Sequence, residues 1–117
     1  MISAIHTALT GLTAFGKHLE VVAHNIANVN TDGFKKFRTT FVEAPTSGVL
    51  PVIDKDSSSG PTVLRDTGHT PIAVELSNTD LGEELVQQML AQRSFEANLH
   101  TIQTGDVLLG SLLDLKK

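Results

Sequence analysis

From Ile2 to Val29 apolar positions recur at alternating spacings of three and four. Ile5, Leu12, Leu19 and Ile26 form one seven-residue series, and Ile2, Leu9, Gly16 and Ala23 form another. This spacing predicts one helix over 2–29, about 40 Å long. On a straight helix of about 3.6 residues per turn the stripe would drift, so it implies left-handed supercoiling against a partner. Gly11 and Gly16 each cost a helix about 1 kcal/mol relative to Ala, so this one depends on packing to stay ordered. Asn28, Asn30 and Gly33 end it, because Asn and Gly tolerate a left-handed backbone and Asp32-Gly33 is a strong turn signal. Asn25 and Asn28 fall in the last turns, where Asn is a poor helix former. Composition leaves open whether they bind a neighbouring chain or face water.

The period then changes. Phe34–Val42 is rich in Phe, Thr and Val and reads as a strand that pairs with Val49–Ile53 or with Thr62–Leu64. All four prolines, Pro45, Pro51, Pro61 and Pro71, lie in the following stretch, beside Ser57-Ser58-Ser59-Gly60. Residues 30–78 therefore read as an irregular middle of loops and a few short strands, with Asp54–Ser59 as a mobile tip.

Helical spacing returns over 79–115, for about 54 Å. Asp80 with Glu83 three residues on has the form of a capping box, and Glu83-Glu84 place negative charge at the positive helix end. One apolar stripe collects Leu81, Leu85, Met89, Phe95, Leu99, Ile102, Val107, Leu109 and Leu113. A second, opposite face collects Val86, Leu90, Leu108, Leu112 and Leu115. Two apolar faces on one helix are more than the first helix can cover, which argues for assembly. Gln88 and Gln92 interrupt the stripe, as polar residues that set register do. The expected fold is thus mainly α. Two long terminal helices pack as an antiparallel coiled coil around a short-strand middle, in one domain over 1–117.

Charge and composition narrow the function. A net charge of -4 and only nine scattered Lys and Arg argue against nucleic-acid binding. The one basic cluster, Lys35, Lys36 and Arg38, reads as a solvated turn flank. Absence of cysteine excludes thiol chemistry. The start Met1-Ile2-Ser3-Ala4-Ile5-His6 lacks the basic and apolar regions of a cleaved signal, and no run is apolar enough for membrane insertion. His6 and His24 share a helix face about 27 Å apart, and His18 points elsewhere, so no pair shares an ion. His100 follows Glu96 by four residues as an ordinary helix-face pair. No nucleophile elbow, phosphate loop, dinucleotide fingerprint or zinc-protease motif occurs. No catalytic residue, cofactor or metal is expected, and the chain reads as a non-enzyme.

Both ends resemble a known family. Met1-Ile2-Ser3-Ala4, with Ala27-Asn28-Val29-Asn30-Thr31-Asp32-Gly33-Phe34-Lys35, is similar to the N-terminal signature of bacterial flagellar axial proteins, the rod, hook and hook-associated proteins. His24 stands where that signature usually has Asn. Glu75–Leu85 with Asn78 and Asp80, Gln92–Asn98, and Gln103-Thr104-Gly105-Asp106 through Leu115 are similar to the family's C-terminal helix. The resemblance covers about two-thirds of the chain. It implies a subunit of the flagellar basal-body rod whose terminal helices form a coiled coil lining a hollow axial structure. The length fits the smaller proximal-rod type. It also implies export by the flagellar type III apparatus without a cleaved signal, a periplasmic rod location, and partners among other rod and hook axial proteins and copies of itself. Ile5, Leu9, Leu12, Gly16, Leu19, Ile26, Leu81, Leu85, Phe95, Leu99, Ile102, Leu109 and Leu113 are the expected assembly seam, and Val86, Leu90, Leu108 and Leu112 the second face. Asn25, Asn28, Asn30, Gly33, Phe34, Asn78 and Asp80 carry the signature. Two other classes compete: a coiled-coil adaptor or export-associated interaction protein, which needs a discrete partner groove, and a peripheral membrane protein, which lacks basic residues on its polar faces.

Overall fold

The computed structural model describes residues 1–116. Helix α1 spans Ile2–Ala27, strands β1 to β4 span Phe37–Glu43, Val49–Lys55, Thr62–Asp66 and Pro71–Glu75, and helix α2 spans Leu81–Leu115. The molecule is slender, 84 × 24 × 15 Å. Two terminal helices packed together with short strands between them match the expected mainly-α class.

The helix ends differ in detail from the expectation. α1 stops at Ala27, two residues short of Val29, because Asn28 takes the cap position with φ -104°. Its side-chain amide donates to the His24 carbonyl (2.9 Å), and its side-chain oxygen accepts from Thr31 Oγ1 (3.2 Å). No asparagine adopts the left-handed conformation; Gly33 does, with φ 69°. α2 begins after Asp80, whose carboxylate accepts from the Glu83 backbone N–H (3.0 Å). The capping box is only half formed, because the Glu83 carboxylate accepts instead from Lys36 Nζ (2.7 Å).

The helices meet through small and polar side chains. α1 buries Ala8, Gly11, Ala14, His18, Val21, Val22 and Asn25; α2 buries Glu84, Ala91 and Gly105. Asn25 meets Glu84 (3.2 Å), a Cβ on Gly11 would collide with the Asn98 side chain (2.5 Å), and one on Gly105 would strike Ile5 (2.8 Å). Partner numbers fall along α2 as they rise along α1, so the two helices run in opposite directions. The buried α1 positions 8, 11, 18, 22 and 25 repeat with the same three-and-four rhythm as the Leu/Ile seam, but one residue earlier. One residue is about 100° around the helix, so this buried face lies beside the Leu/Ile seam; His18 on it packs on Phe41 of β1, while Ile5 and Gly16 of the seam face Gly105 and Phe95 of α2.

The middle is more ordered than the sequence suggested. It folds into two antiparallel hairpins, β1 with β2 and β3 with β4. Of the two pairings open to β1, the structure takes the first, running from Phe37 opposite Lys55 to Glu43 opposite Val49. Thr62–Asp66 pairs instead with Pro71–Glu75, a strand the prolines concealed; Pro71 is tolerated because it opens the strand. The first hairpin lies along α1, with Phe41 against Phe15 (ring centroids 4.9 Å) and the Val49 N–H bonded to Thr10 Oγ1 (3.1 Å). The second hairpin packs on no other helix or strand among the described residues. Its side-chain ties to the body are the ion pair of Arg65 with Asp32 (2.7 Å) and that of Glu75 with Lys35.

Glycines report where the fold is tight. At Gly60 a Cβ would lie 2.1 Å from the Leu76 carbonyl oxygen, which is backbone and cannot swing away; at Gly110 it would meet nothing within 4 Å. Gly60→Ala is therefore expected to lower unfolding free energy by about 2 kcal/mol or more, and Gly110→Ala to raise it by about 0.5–1 kcal/mol. Urea denaturation followed by circular dichroism checks both.

Candidate functional site

Three segments that are distant in sequence converge at one end of the helix pair, and Asn25 joins them. Its side-chain oxygen accepts from the Phe37 N–H (2.9 Å) while its amide donates to the Phe37 carbonyl (2.8 Å) and to Glu84 Oε2 (3.2 Å). One carboxamide thus satisfies both backbone groups of the first β1 residue and touches the first turn of α2. Asn25 is 1% exposed and Glu84 5%. Only a side chain with both a donor and an acceptor can make this bridge, which explains an Asn where helix propensity disfavours one.

A second polar knot lies beside it, centred on Asn78. Asn78 Oδ1 accepts from the Lys36 N–H (2.7 Å), and Nδ2 donates to the carbonyls of Asp56 and Ser58 (both 3.0 Å). Lys35 Nζ donates to the Ser58 carbonyl (2.7 Å) and to Glu75, whose carboxylate also accepts from the Gly60 N–H (2.7 Å). The Gly33 N–H closes the base by bonding the Glu75 carbonyl (2.8 Å). Asp56 is held by the Ser58 N–H (3.0 Å) and the Arg38 guanidinium (2.9 Å). These donors lower its carboxyl pKa from 3.8 to about 2. Glu75 is lowered too, chiefly by the Lys35 hydrogen bond and then by the Gly60 N–H. The stretch 54–59, expected as a mobile tip, is therefore a tied part of the joint. The hairpin tips are instead 44–48 and 67–70.

Aromatic rings pad the joint. His24 sits edge-on to Phe34 (centroids 5.5 Å) and against Phe37 (5.6 Å). His18 is buried edge-on to Phe41 (5.6 Å), on the wall of a polar cleft of about 200 Å³ shared with Asn25, Lys36, Thr39 and Glu84. His18 Nδ1 and Thr39 Oγ1 have no hydrogen-bond partner there. No group of three His, Asp or Glu among the described residues is placed to hold a metal ion.

The expected assembly residues divide into two sets. Ile5, Leu12, Gly16, Leu19, Ile26, Phe95, Ile102 and Leu109 are half-buried along the flank of the helix pair, with Phe95 lying over Gly16 (3.9 Å). Leu9, Leu81, Leu85, Leu99 and Leu113 are exposed, as are Val86, Leu90, Leu108 and Leu112 of the second face. The buried apolar core is Ala8, Ala14, Val21, Val22 and Ala91. Leu, Val and Met side chains of α2 lie outside it: Met89 is 69% exposed and Leu115 82%. No helix is long and apolar enough to cross a membrane.

Comparison with known proteins bears on this arrangement. Residues 5–35 match the family model for flagella basal body rod protein, and residues 73–115 match the one for flagellar basal body rod FlgEFG protein C-terminal. The flagellar basal-body rod protein FlgC of Borreliella burgdorferi (strain B31) is 31% identical over 97% of this chain and 95% of its own length. The chain belongs to the flagellar basal-body rod family. Two further relatives match it over less of their length. Flagellar basal-body rod protein FlgG of Bacillus subtilis (strain 168) is 38% identical over 54% of this chain and 22% of its own. Flagellar hook protein FlgE of Escherichia coli (strain K12) is 46% identical over 38% of this chain. The chain spans only about a tenth of that hook protein's length (11%). The family is structural, not enzymatic.

The rod-family matches cover α1 with the turn after it, and β4 with the joint and α2. They leave out 36–72, where β1 to β3 lie. Asn25, Asn28, Gly33, Phe34, Asn78 and Asp80 all build the joint or cap its helices, while Asn30 is exposed in the turn. Sequence reasoning missed the partners these residues hold: Lys36, read as a solvated flank, is 5% exposed, and Glu84, read as a helix-end charge, is buried. The available signal was the asparagines at the two helix ends, Asn25 and Asn28 on α1 and Asn78 before α2, which demand backbone partners.

Replacing Asn25 by Ala orphans the Phe37 N–H and carbonyl, with an expected loss of about 2–4 kcal/mol. The exposed Asn30→Ala is expected to stay within about 0.5 kcal/mol of the parent; denaturant unfolding compares the two. Because the folded pKa of Asp56 is depressed, its contribution is present above about pH 4 and lost as pH falls toward about 2. Asp56→Asn should flatten the acid limb of the stability–pH curve, measured as Tm against pH.

Proposed function

We propose that this chain is a structural subunit of the flagellar basal-body rod that self-assembles through its terminal helices into the hollow axial shaft used for motility. The observation that carries this reading is the inversion of the helix contact. Small and polar side chains fill the interior, and the large apolar ones remain available to neighbours. Burying a Leu, Val or Met side chain contributes about 1.5–3 kcal/mol, so these faces supply a large driving force once other copies or other rod and hook axial proteins cover them. In the assembled shaft the half-buried Leu/Ile seam completes a supercoiled, antiparallel coiled coil.

The joint fixes how the hairpins stand relative to the helix pair, so a neighbour that grips the helices also sets the position of β1 to β4. Export by the flagellar type III apparatus without a cleaved signal, to a rod in the periplasm, fits helices that carry interior glycines and bury little on their own. Such helices unfold readily and become ordered when assembly buries their faces.

Removal of residues 108–117 tests the reading. It strips Leu108, Leu112, Leu113 and Leu115 but leaves every joint residue and the contacts of Glu84, Ala91 and Gly105. In the parent bacterium the truncated chain is expected to abolish rod assembly and motility, scored by swimming in soft agar and by electron microscopy of basal bodies, while the purified chain keeps its helical spectrum. Normal flagellation would overturn the proposal.

A further inference from the structure

Strand β1 has one paired edge and one open edge, and the hydrogen bonds at its ends decide which residues face which. The Lys36 carbonyl accepts from the Asp56 N–H (2.8 Å) just before the strand, and the Ala44 N–H donates to the Gly48 carbonyl (3.0 Å) just after it. Opposed residues of an antiparallel ladder alternate between pairs that exchange backbone bonds and pairs that do not. The register between is continuous, so Arg38, Thr40 and Val42 turn their backbone groups to β2, while Phe37, Thr39 and Phe41 turn theirs away. Two details agree. Phe37 gives both its groups to the Asn25 side chain, and Pro51, which has no N–H, stands opposite Phe41.

Thr39 is the next residue along the open edge, about 7 Å beyond Phe37. It lines the polar cleft of about 200 Å³, and no group among the described residues bonds its N–H or carbonyl from that side. One turn before Asn25, α1 brings Val21 and Val22 to the cleft, and neither side chain can bond. His18 follows a turn later; it is 8% exposed, and its Nδ1 is unpartnered, as is Thr39 Oγ1. The cleft thus repeats at Thr39 the backbone pair that Asn25 satisfies at Phe37, and adds two buried polar atoms. Its charged side chains already have partners: Lys36 holds Glu83, Arg38 holds Asp56, and Glu84 accepts from Asn25.

We propose that the Thr39 edge of this cleft binds a primary carboxamide, the end group of an Asn or Gln side chain, held as Asn25 is held at Phe37. Its oxygen accepts from the Thr39 N–H and its amide donates to the Thr39 carbonyl. The remaining amide hydrogen and lone pair are left for Thr39 Oγ1 and His18 Nδ1, a hydroxyl and an imidazole nitrogen that donate or accept according to rotamer or tautomer. A backbone amide is a poorer fit, because the N–H and C=O of a trans peptide unit point opposite ways and cannot both reach Thr39. Nor is there room for a strand: Asn25 closes the cleft at Phe37, and Phe41 does not line it. So few hydrogen bonds hold a free amide only weakly. The occupant is therefore a side chain on a neighbouring chain, whose attachment supplies the local concentration. The site stands on these atoms alone; the neighbour as its source rests on the rod reading.

Titration of the isolated chain with acetamide, followed by NMR of the backbone amides, tests the site. The Thr39 amide is expected to shift downfield and saturate, with a millimolar dissociation constant. N-methylacetamide, which mimics the peptide unit, and N,N-dimethylacetamide, which cannot donate, are each expected to bind about tenfold more weakly or worse. Thr39→Val removes only the unpartnered hydroxyl and is expected to weaken acetamide about threefold or more with no loss of helical spectrum. No saturable shift at Thr39, equal binding of either methylated amide, or unchanged binding by Thr39→Val would each overturn the site. Tighter binding of methylguanidinium would do the same, by assigning the cleft to the Glu84 carboxylate instead. A micromolar constant for acetamide would overturn the neighbour as its source, since a free amide would then suffice. None of these results alters the motility outcome that tests the rod reading.

Discussion

The close approach of α1 and α2 is the constraint from which the rest follows. Gly11 sits under Asn98 and Gly105 under Ile5, and Ala8, Ala14 and Ala91 are buried. At Gly11 and Gly105 the two helices come so close that neither position has room for a side chain. Many of the bulky apolar side chains of α2 lie on exposed faces, where a free-standing protein of this size gains nothing from them. A chain built this way has stability in reserve that it realises only when neighbours arrive.

So thin an apolar core would not by itself fix the position of the hairpins, and the polar joint takes that role. Asn25 substitutes for a strand at Phe37, Asn78 gathers the Lys36, Asp56 and Ser58 backbones, and Lys36 reaches Glu83 at the start of α2. These bonds are directional where hydrophobic contact is not, and each buried group satisfied here would cost about 1–3 kcal/mol if left bare. The two family-model matches, 5–35 and 73–115, end on either side of this joint. The intervening hairpins are joined to it by backbone hydrogen bonds and by the Arg38–Asp56 and Arg65–Asp32 ion pairs.

Much of this was legible in the sequence, and the gaps have physical causes. The two helices announce themselves by spacing, and their ends by Asn28, Gly33 and Asp80. The face on which they meet does not, because a periodicity reading follows the largest apolar side chains, and at close approach the smallest ones decide. The most buried line on α1, at 8, 11, 18, 22 and 25, therefore runs one residue before the Leu/Ile seam. β4 was hidden by Pro71, since proline counts against a strand except at its first position. Asp54–Ser59 read as a mobile tip by composition, although its serine and aspartate groups are what Asn78, Lys35 and Arg38 hold. Asn25 was visibly out of place in a helix, but its partner at Phe37 is a backbone group that no side-chain pattern reveals.

Oxidative footprinting of Met89, in the isolated chain at dilution and in purified basal bodies, addresses the central claim most directly. Met89 is 69% exposed on the outer face of α2 and reports on that face without substitution. Rapid oxidation in the dilute chain and strong protection in the basal body are the predicted results. Equal reactivity in both would mean that the outer face of α2 is not what the assembly buries, and would contradict the account.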